Sequence, residues 1–404
     1  MIIVGECPIC HSKDNAGFLF AKDFPYFTAP VAKPDKAKIL KKYGPKELGG
    51  ELCPVVCKEC RHIYLNKSAP EDVLEDLYGS YYSYPSALEG SFFPERDEAF
   101  IQIFKNRIKG ILSRKQDRVL EIGCYDGYVL YYLKKIGFSV TGCDPSHGAD
   151  IGQRFGLDIK KRFFSTDEFQ KENLDYDCII FRHFLEHIPR PVDFLKTLPK
   201  VLTPEGLIVF EVPNVEIFLK SGGTGVFSFQ HLQYFSKTSI SRLVKEAGLR
   251  LINCIETAEN LVVVAAQGTS DESITNDNIL ILCRDFKTNM TKKKDTLWTM
   301  LEKFDGQDFI LWGAGGYSAS IMEMYEVPSN RIKCMVDSDK KKWGMEYLKH
   351  DVPIVSPEAL KHNDYGCLLI CSMYSNEIVD KLKIFDYHKP VISLSPDIKL
   401  IKEG

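Results

Sequence analysis

The nonapeptide Val119-Leu120-Glu121-Ile122-Gly123-Cys124-Tyr125-Asp126-Gly127 constrains this chain more than any other segment. An apolar run of strand character passes straight into a turn with two glycines. The helical pattern of Tyr128 to Ile136, closed by Gly137, begins at once. Glycine has no side chain to hold a ligand off the backbone, and the free amides of a helix start favour acceptor atoms. The next strand, Ser139 to Cys143, ends in Asp144-Pro145, about twenty residues after the turn. A carboxylate there is placed to accept hydrogen bonds from both hydroxyls of a ribose, in the crevice beyond the strand ends.

The same alternation continues along the chain. Asp177 to Phe181, Leu207 to Val212 and Leu261 to Ala266 read as buried strands, and Val192 to Leu202 and Ser236 to Ala247 as helices, the latter ended by Gly248. Pro94 to Leu112 places Phe100, Ile103, Phe104, Ile108, Ile111 and Leu112 on one helical face. Such alternation predicts an α/β fold: a parallel sheet with helices on both faces. Gly268 to Asn278 is a polar linker, followed by a long helix to about Phe304. A second α/β unit starts at Asp308 to Trp312, with further strands at Ile332 to Val336 and Cys367 to Cys371. A chain of 404 residues is expected to divide, here into a cysteine-bearing module (1–75), a first Rossmann-like domain (76–267) and a second (279–404).

Composition narrows the partners. A formal charge of −3 and the absence of a basic stripe give no reason to expect nucleic acid, and Lys292-Lys293-Lys294 reads as a solvated helix face. No apolar run is long enough to span a bilayer. The first residues, Met1 to Cys7, lack a basic and apolar leader, so a cytoplasmic location is expected. Cys7-Pro8-Ile9-Cys10 and Cys57-Lys58-Glu59-Cys60 are two CxxC knuckles, and four thiolates from two such turns suit structural zinc. Cys53 offers a fifth thiol. Redox-active CxxC is the alternative, but neither knuckle opens a clear helix.

The glycine turn is Gly-x-x-x-Gly rather than Gly-x-Gly-x-x-Gly, so no pyrophosphate needs cradling, which favours S-adenosylmethionine over a dinucleotide. An NAD-binding or nucleotide-free domain is the competing reading. These residues resemble class I methyltransferases, in which Glu-x-Gly-x-x-x-Gly followed by an acid is the donor signature. The resemblance implies that Gly123 and Gly127 approach the methionine part, that Asp126 holds its amino group and that Asp144 takes the ribose. Glu121, Cys124, Pro145 and Arg182 complete the expected donor set.

His183-x-x-Glu186-His187 matches an inverted zinc-protease motif, but it leaves a buried strand and meets Pro189 almost immediately, where a protease needs a helix. In methyltransferases this stretch lines the cleft between donor and acceptor, so His183 or His187 is expected to orient substrate. A purely structural role is the alternative. Further on, Phe229-Gln230-His231-Leu232-Gln233-Tyr234-Phe235-Ser236 resembles the sugar C-methyltransferases acting on nucleotide-linked keto-sugars, which carry a His one step before Leu-x-Tyr-Phe-Ser. The resemblance spans nearly the whole chain. It implies zinc on Cys7, Cys10, Cys57 and Cys60 with Cys53 spare, and His231 as the base. Neutral imidazole can take a proton near pH 7. The family places Tyr-His-Glu directly before that His, whereas Ser228, Phe229 and Gln230 stand here, and the expected step is carbon or oxygen methylation.

Glu211, Asn214 and Gln230 are expected to face the acceptor. Trp312-Gly313-Ala314-Gly315-Gly316-Tyr317-Ser318 approaches a dinucleotide fingerprint with Ser318 in place of the third glycine. By the resemblance, this last domain binds the nucleotide end of the substrate through Gly313, Gly315 and Tyr374. The expected activity is methyl transfer to a small-molecule sugar by a monomer or homodimer. The rivals are methylation of a non-sugar metabolite and a non-catalytic zinc-headed scaffold.

Overall fold

The computed structural model describes residues 2–81, 86–90, 95–108, 110, 117–172, 175–269, 278–362, 364–372, 375–385, 387–395 and 397–402. In the cysteine-bearing head, β1 (Asn15–Gly17), β2 (Pro54–Cys57) and β3 (Ile63–Leu65) form an antiparallel sheet. The strands that follow belong to the donor unit: β4 (Arg118–Ile122), β5 (Ser139–Cys143), β6 (Ile159–Lys160), β7 (Tyr176–Arg182), β8 (Leu202–Pro213), β9 (Gln233–Tyr234), β10 (Leu249–Glu256) and β11 (Asn260–Gln267). β9 does not join its own sheet. It pairs with β3 and completes the sheet of the head.

The other seven donor strands lie in the order β6-β5-β4-β7-β8-β11-β10. The strands from β6 across to β8 run parallel, and β11 and β10 close the sheet antiparallel. Alternation alone predicts a sheet parallel throughout, and the terminal hairpin corrects this. β11 is buried along nearly its whole length, and burial does not encode strand direction. β10 is a half-exposed edge strand and β6 has two residues, so neither carries a readable apolar run. α1 (Tyr128–Lys135) follows the glycine turn with Gly127 as its left-handed cap. α2 (Val215–Ser221) and α3 (Lys237–Glu246) flank the β9 excursion. The expected helix from Pro94 is observed over Glu95–Ile103 with a wider-turned extension, Phe104–Ile108, while Pro94, Ile111 and Leu112 lie outside the described residues.

After α4 (Asn278–Leu301) comes a six-stranded sheet ordered β14-β13-β12-β15-β16-β17. Its strands are β12 (Phe309–Trp312), β13 (Ile332–Val336), β14 (Ile354–Val355), β15 (Cys367–Ile370), β16 (Val391–Ser393) and β17 (Lys399–Lys402), with only β17 antiparallel. α5 (Gly316–Met324) opens at its glycine turn. One apolar cluster joins Phe24 and Leu52 of the head, Phe227 and Phe229 of the 222–232 loop, and Leu311 and Ile321 of the last unit. The head shares this core and, through Ile9, Val55 and Tyr64, also that of one face of the donor sheet. The loop carrying His231 is thereby packed from two sides.

Candidate active site

The donor crevice opens beyond the ends of β4 and β5. Gly123 has φ +69°, and a Cβ there would sit 2.9 Å from the Phe184 ring, so only glycine keeps this wall thin. A cavity of about 990 Å³ occupies the crevice, large enough for a nucleoside-bearing cofactor. Its wall brings together Glu121, Gly123, Cys124, Asp126, Asp144, Pro145, Arg182 and His183. Gly127 stands behind that wall: a Cβ would meet Leu157 at 2.7 Å, so it serves the packing of the turn.

Asp144 is aimed by the chain itself. Its Oδ2 accepts the Tyr125 amide at 2.8 Å, and Oδ1 accepts the Ser146 amide and hydroxyl at 2.9 and 2.5 Å. A carboxylate offers about four lone-pair positions, so one remains for a ribose hydroxyl. Asp126, expected to hold the methionine amine, accepts from Ser86 Oγ (2.7 Å), the Leu88 amide (3.0 Å) and the Tyr128 amide (3.1 Å), and like Asp144 keeps one lone-pair position in the cavity wall. It latches residues 86–88 over the turn and holds the first amide of α1. Arg182 is clamped between Asp97 (2.7 Å) and Glu211 (2.8 Å) and lies over the Phe100 ring at 4.6 Å. Burial pushes the Glu121 carboxyl up to about 8, against the pull of Arg182. Sequence reasoning missed Phe163, which lines the cavity and is 80% exposed, a free aromatic face for a base. The signal was its place just after β6, a strand too short to be recognised.

On the other side of His183, the turn after β7 meets the loop before β9. His183 has φ +47°, held where its amide donates to the Glu211 carbonyl at 2.9 Å, and its Nδ1 lies 3.4 Å from Glu186 Oε1. His187 Nδ1 pairs with the Gln230 carbonyl and His231 Nδ1 with the Val226 carbonyl, both at 2.8 Å. The two rings are 5.0 Å apart. Burial, with His187 alongside, lowers the His231 imidazole to about 3, so it is neutral at any physiological pH. Burial also lowers His187, against the Gln230 and His183 carbonyls. Of the expected site histidines, His187 and His231 form one cluster with Glu186, and His183 reaches it through Glu186 while lining the donor cavity.

Two supports hold this cluster. From the head, fully buried His62 pairs with Gln233 Oε1 at 2.8 Å, and Gln233 Nε2 donates to the Ile188 carbonyl at 3.1 Å. The Leu65 amide bonds the Leu232 carbonyl, and the Leu232 amide bonds the Glu186 carbonyl, at 2.9 and 2.8 Å. From the last unit, Ser320 Oγ donates to the Thr224 carbonyl (2.8 Å) and Tyr325 OH to the Gly222 carbonyl (3.0 Å). The Tyr317 ring lies against Gly225 so closely that an added Cβ would be 1.8 Å away.

The residues expected to face the acceptor divide. Glu211 is 2% exposed and committed to Arg182 and Asn260, and Asn214 is 1% exposed and caps α2 through the Glu216 amide, so both are structural where the chain folds. Gln230 holds His187 by its carbonyl and keeps a partly exposed side chain. Gly313 has φ +110°, with the Cys371 carbonyl 2.6 Å from where a Cβ would be, and Gly315 caps α5. Ser318 Oγ donates to the Gly313 carbonyl at 2.5 Å, closing the turn a third glycine would leave open. Asp337 at the end of β13 accepts the Ala314 amide at 2.8 Å, as Asp144 accepts Tyr125, so both units repeat one turn architecture. Tyr374 lies outside the described residues. The wall of the large cavity, among the described residues, comes from positions 79–194 alone.

In the head, Cys7 and Cys60 sulfurs are 3.5 Å apart, as are those of Cys10 and Cys57, and all four lie within 4.8 Å of one another. Tetrahedral zinc with 2.3 Å bonds needs sulfurs roughly 3.8 Å apart. Thiol hydrogen bonds from Cys60 and Cys7 lower the Cys57 thiol, and the pairing with Cys57 raises those of Cys60 and Cys7 (Cys7 up to about 12). Cys53 is not part of the group. No helix among the described residues is long and apolar enough to cross a membrane.

Residues 94–253 match the family described as methyltransferase domain, and residues 307–392 that described as C2185-like, N-terminal. The chain is 25% identical over 367 residues to the C-methyltransferase NovU of Streptomyces niveus, covering 84% of this chain and 85% of the relative. A ubiquinone biosynthesis O-methyltransferase of Caulobacter sp. (strain K31) is 30% identical over 103 residues, covering 24% of this chain and 41% of that one. Among solved structures, the PH0226 protein from Pyrococcus horikoshii OT3 is similar with a TM-score of 0.39 at 16% identity, covering 48% of this chain and 98% of that chain. With the glycine turn, the acid after β5 and the closing antiparallel hairpin, the chain is a class I S-adenosylmethionine-dependent methyltransferase similar over most of its length to a C-methyltransferase.

Proposed function

We propose that this enzyme methylates a sugar, held as its nucleotide derivative, with His231 as the base. The observation that carries the reading is the tautomer of His231: Nδ1 is spent on the Val226 carbonyl, which leaves the Nε2 lone pair to accept a proton. When bound, S-adenosylmethionine supplies an electrophilic methyl group on a sulfonium. Asp144 would hold its ribose and Phe163 its base, while the 183–188 turn separates donor from acceptor. The Glu186 carboxyl lies within 4.8 Å of the His187 and His231 ligand atoms, where it would face the imidazolium that proton transfer creates.

The similarity to a C-methyltransferase supports an acceptor carbon. The position before Gln230 supports an oxygen: Phe229 is fully buried and stacked edge-on against Tyr26 at 4.8 Å, where it relays no proton to an enolisable carbon. Nuclear magnetic resonance of the isolated product separates the two, since a methyl on carbon and a methyl ether resonate apart. The head is proposed to hold one structural zinc on Cys7, Cys10, Cys57 and Cys60, and the last unit to take the nucleotide end at Gly313 and Gly315.

Replacing His231 with Ala is expected to lower turnover by about 100-fold or more while S-adenosylmethionine affinity stays near wild type. Unchanged turnover refutes the base, and a chain that binds neither S-adenosylmethionine nor S-adenosylhomocysteine refutes the whole reading.

A further inference from the structure

The cluster beyond the donor cavity has a property that methyl transfer does not use. Glu186 and His187 come from the turn after β7 and His231 from the loop before β9, yet their ligand atoms all lie within 4.8 Å of one another. Each imidazole donates Nδ1–H to a backbone carbonyl at 2.8 Å, Gln230 for His187 and Val226 for His231. An outer hydrogen bond of this kind fixes the tautomer and turns Nε2 into the ligand nitrogen, as in metal-bound histidines. The third member is a carboxylate whose side chain is 1% exposed.

Two imidazoles and one carboxylate select first-row transition dications over the harder Mg²⁺ and Ca²⁺, which take oxygen ligands. Three protein ligands leave coordination positions open, unlike the closed four-thiolate set of the head. The helical context that a protease motif needs is not required here, because His231 takes the place that His183 would have in such a motif.

We propose that Glu186, His187 and His231 form a binding site for a transition-metal dication, and that its occupancy takes the Nε2 lone pair of His231 away from the acceptor's proton. The site stands on its own geometry. The competition rests on the reading of His231 as the base.

The test uses the full chain with its head loaded with zinc, titrated with Co²⁺ and followed by visible absorption. Uptake of one further Co²⁺ per chain is expected, without the intense thiolate bands that exchange into the head would produce. His187→Ala is expected to bind this Co²⁺ about 100-fold more weakly or worse. An unaltered S-adenosylmethionine titration reports that the variant is folded. No uptake by wild type, or the same uptake by His187→Ala, overturns the site whatever the variant's stability. At full occupancy, turnover is expected to fall by about tenfold or more and to return on adding a chelator too weak to strip four thiolates. Turnover that is unchanged or raised by Co²⁺ overturns the competition. Normal turnover of His231→Ala in metal-free buffer overturns the base reading instead, and leaves the Co²⁺ measurement intact.

Discussion

Gly225 is the point at which the last unit presses on the loop that carries His231, and Gly225→Ala tests whether that pressure matters. A methyl there would sit 1.8 and 1.9 Å from two Tyr317 ring atoms. Relief to an ordinary contact requires a displacement of roughly 1.6 Å in the loop or the ring. Neither yields easily, since the loop is tied at Gly222 and Thr224 to Tyr325 and Ser320. Overpacking of this kind costs about 1–3 kcal/mol, and loss of both ties adds about 1 kcal/mol each. A loss of about 3–5 kcal/mol should lower Tm by roughly 4–6 °C for a chain of 404 residues that unfolds as one unit. The functional effect arises one residue on. The Val226 carbonyl orients His231, and a shift of about 1 Å at a reacting group can cost about 100-fold in rate. Turnover should therefore fall by about that factor while donor affinity stays within about twofold, because the donor cavity is walled by residues 79–194. Calorimetric titration with S-adenosylhomocysteine and steady-state kinetics read the two separately. Tyr317→Ala removes the obstructing ring, so in that background Gly225→Ala should cost little further stability or rate. An equal penalty in both backgrounds, or a loss of donor affinity that matches the loss of turnover, would refute the reasoning.

Phe163→Ala should weaken S-adenosylmethionine binding by about 1–2 kcal/mol, seen as a roughly tenfold higher Kd with little change in Tm, since the ring is 80% exposed before binding. Glu121 stays protonated in the folded chain up to about pH 8 but ionises near 4.5 when exposed, so its contribution to stability is complete below about 4.5 and is lost as pH rises towards 8. Melting curves across that range should show a slope of roughly 1.4 kcal/mol per pH unit from this group, which Glu121→Gln removes. Gln233→Leu leaves the buried His62 and the Ile188 carbonyl without their partner, so it should cost about 2–4 kcal/mol. It should also lower turnover more than donor affinity, because the strut ends beside His187; a variant with full turnover would detach the head from the acceptor side.

Much of the donor site could be read from local pattern. A strand running into Gly123-x-x-x-Gly127 and an acid ending the next strand are separated by fixed numbers of residues, and a regular β-α-β unit converts those numbers into one crevice. The same reasoning marked Gly127 as ligand-facing, and it could not see that Gly127 packs on Leu157 or that Asp126, in the cavity wall, also latches residues 86–88. Which way a side chain in a turn points depends on what folds over it, and that partner comes from elsewhere in the chain. Phe163 was missed for the complementary reason: a two-residue edge strand has no periodicity to detect.

The sequence by itself determined the α/β class, the glycine turn with the acid after the next strand and the paired CxxC knuckles, all of them short-range patterns that survive without tertiary contacts, while His231 was singled out by the resemblance of residues 229–236 to a known family. Only the tertiary structure decided that β9 leaves the donor sheet for the head, that the last unit holds the 222–225 backbone, and that Glu186, His187 and His231 converge within 4.8 Å. The physical reason is the loop-closure problem. Groups 44 residues apart in sequence (His187 and His231) have no local signal for their meeting, which is set by the burial of apolar surface shared among three units.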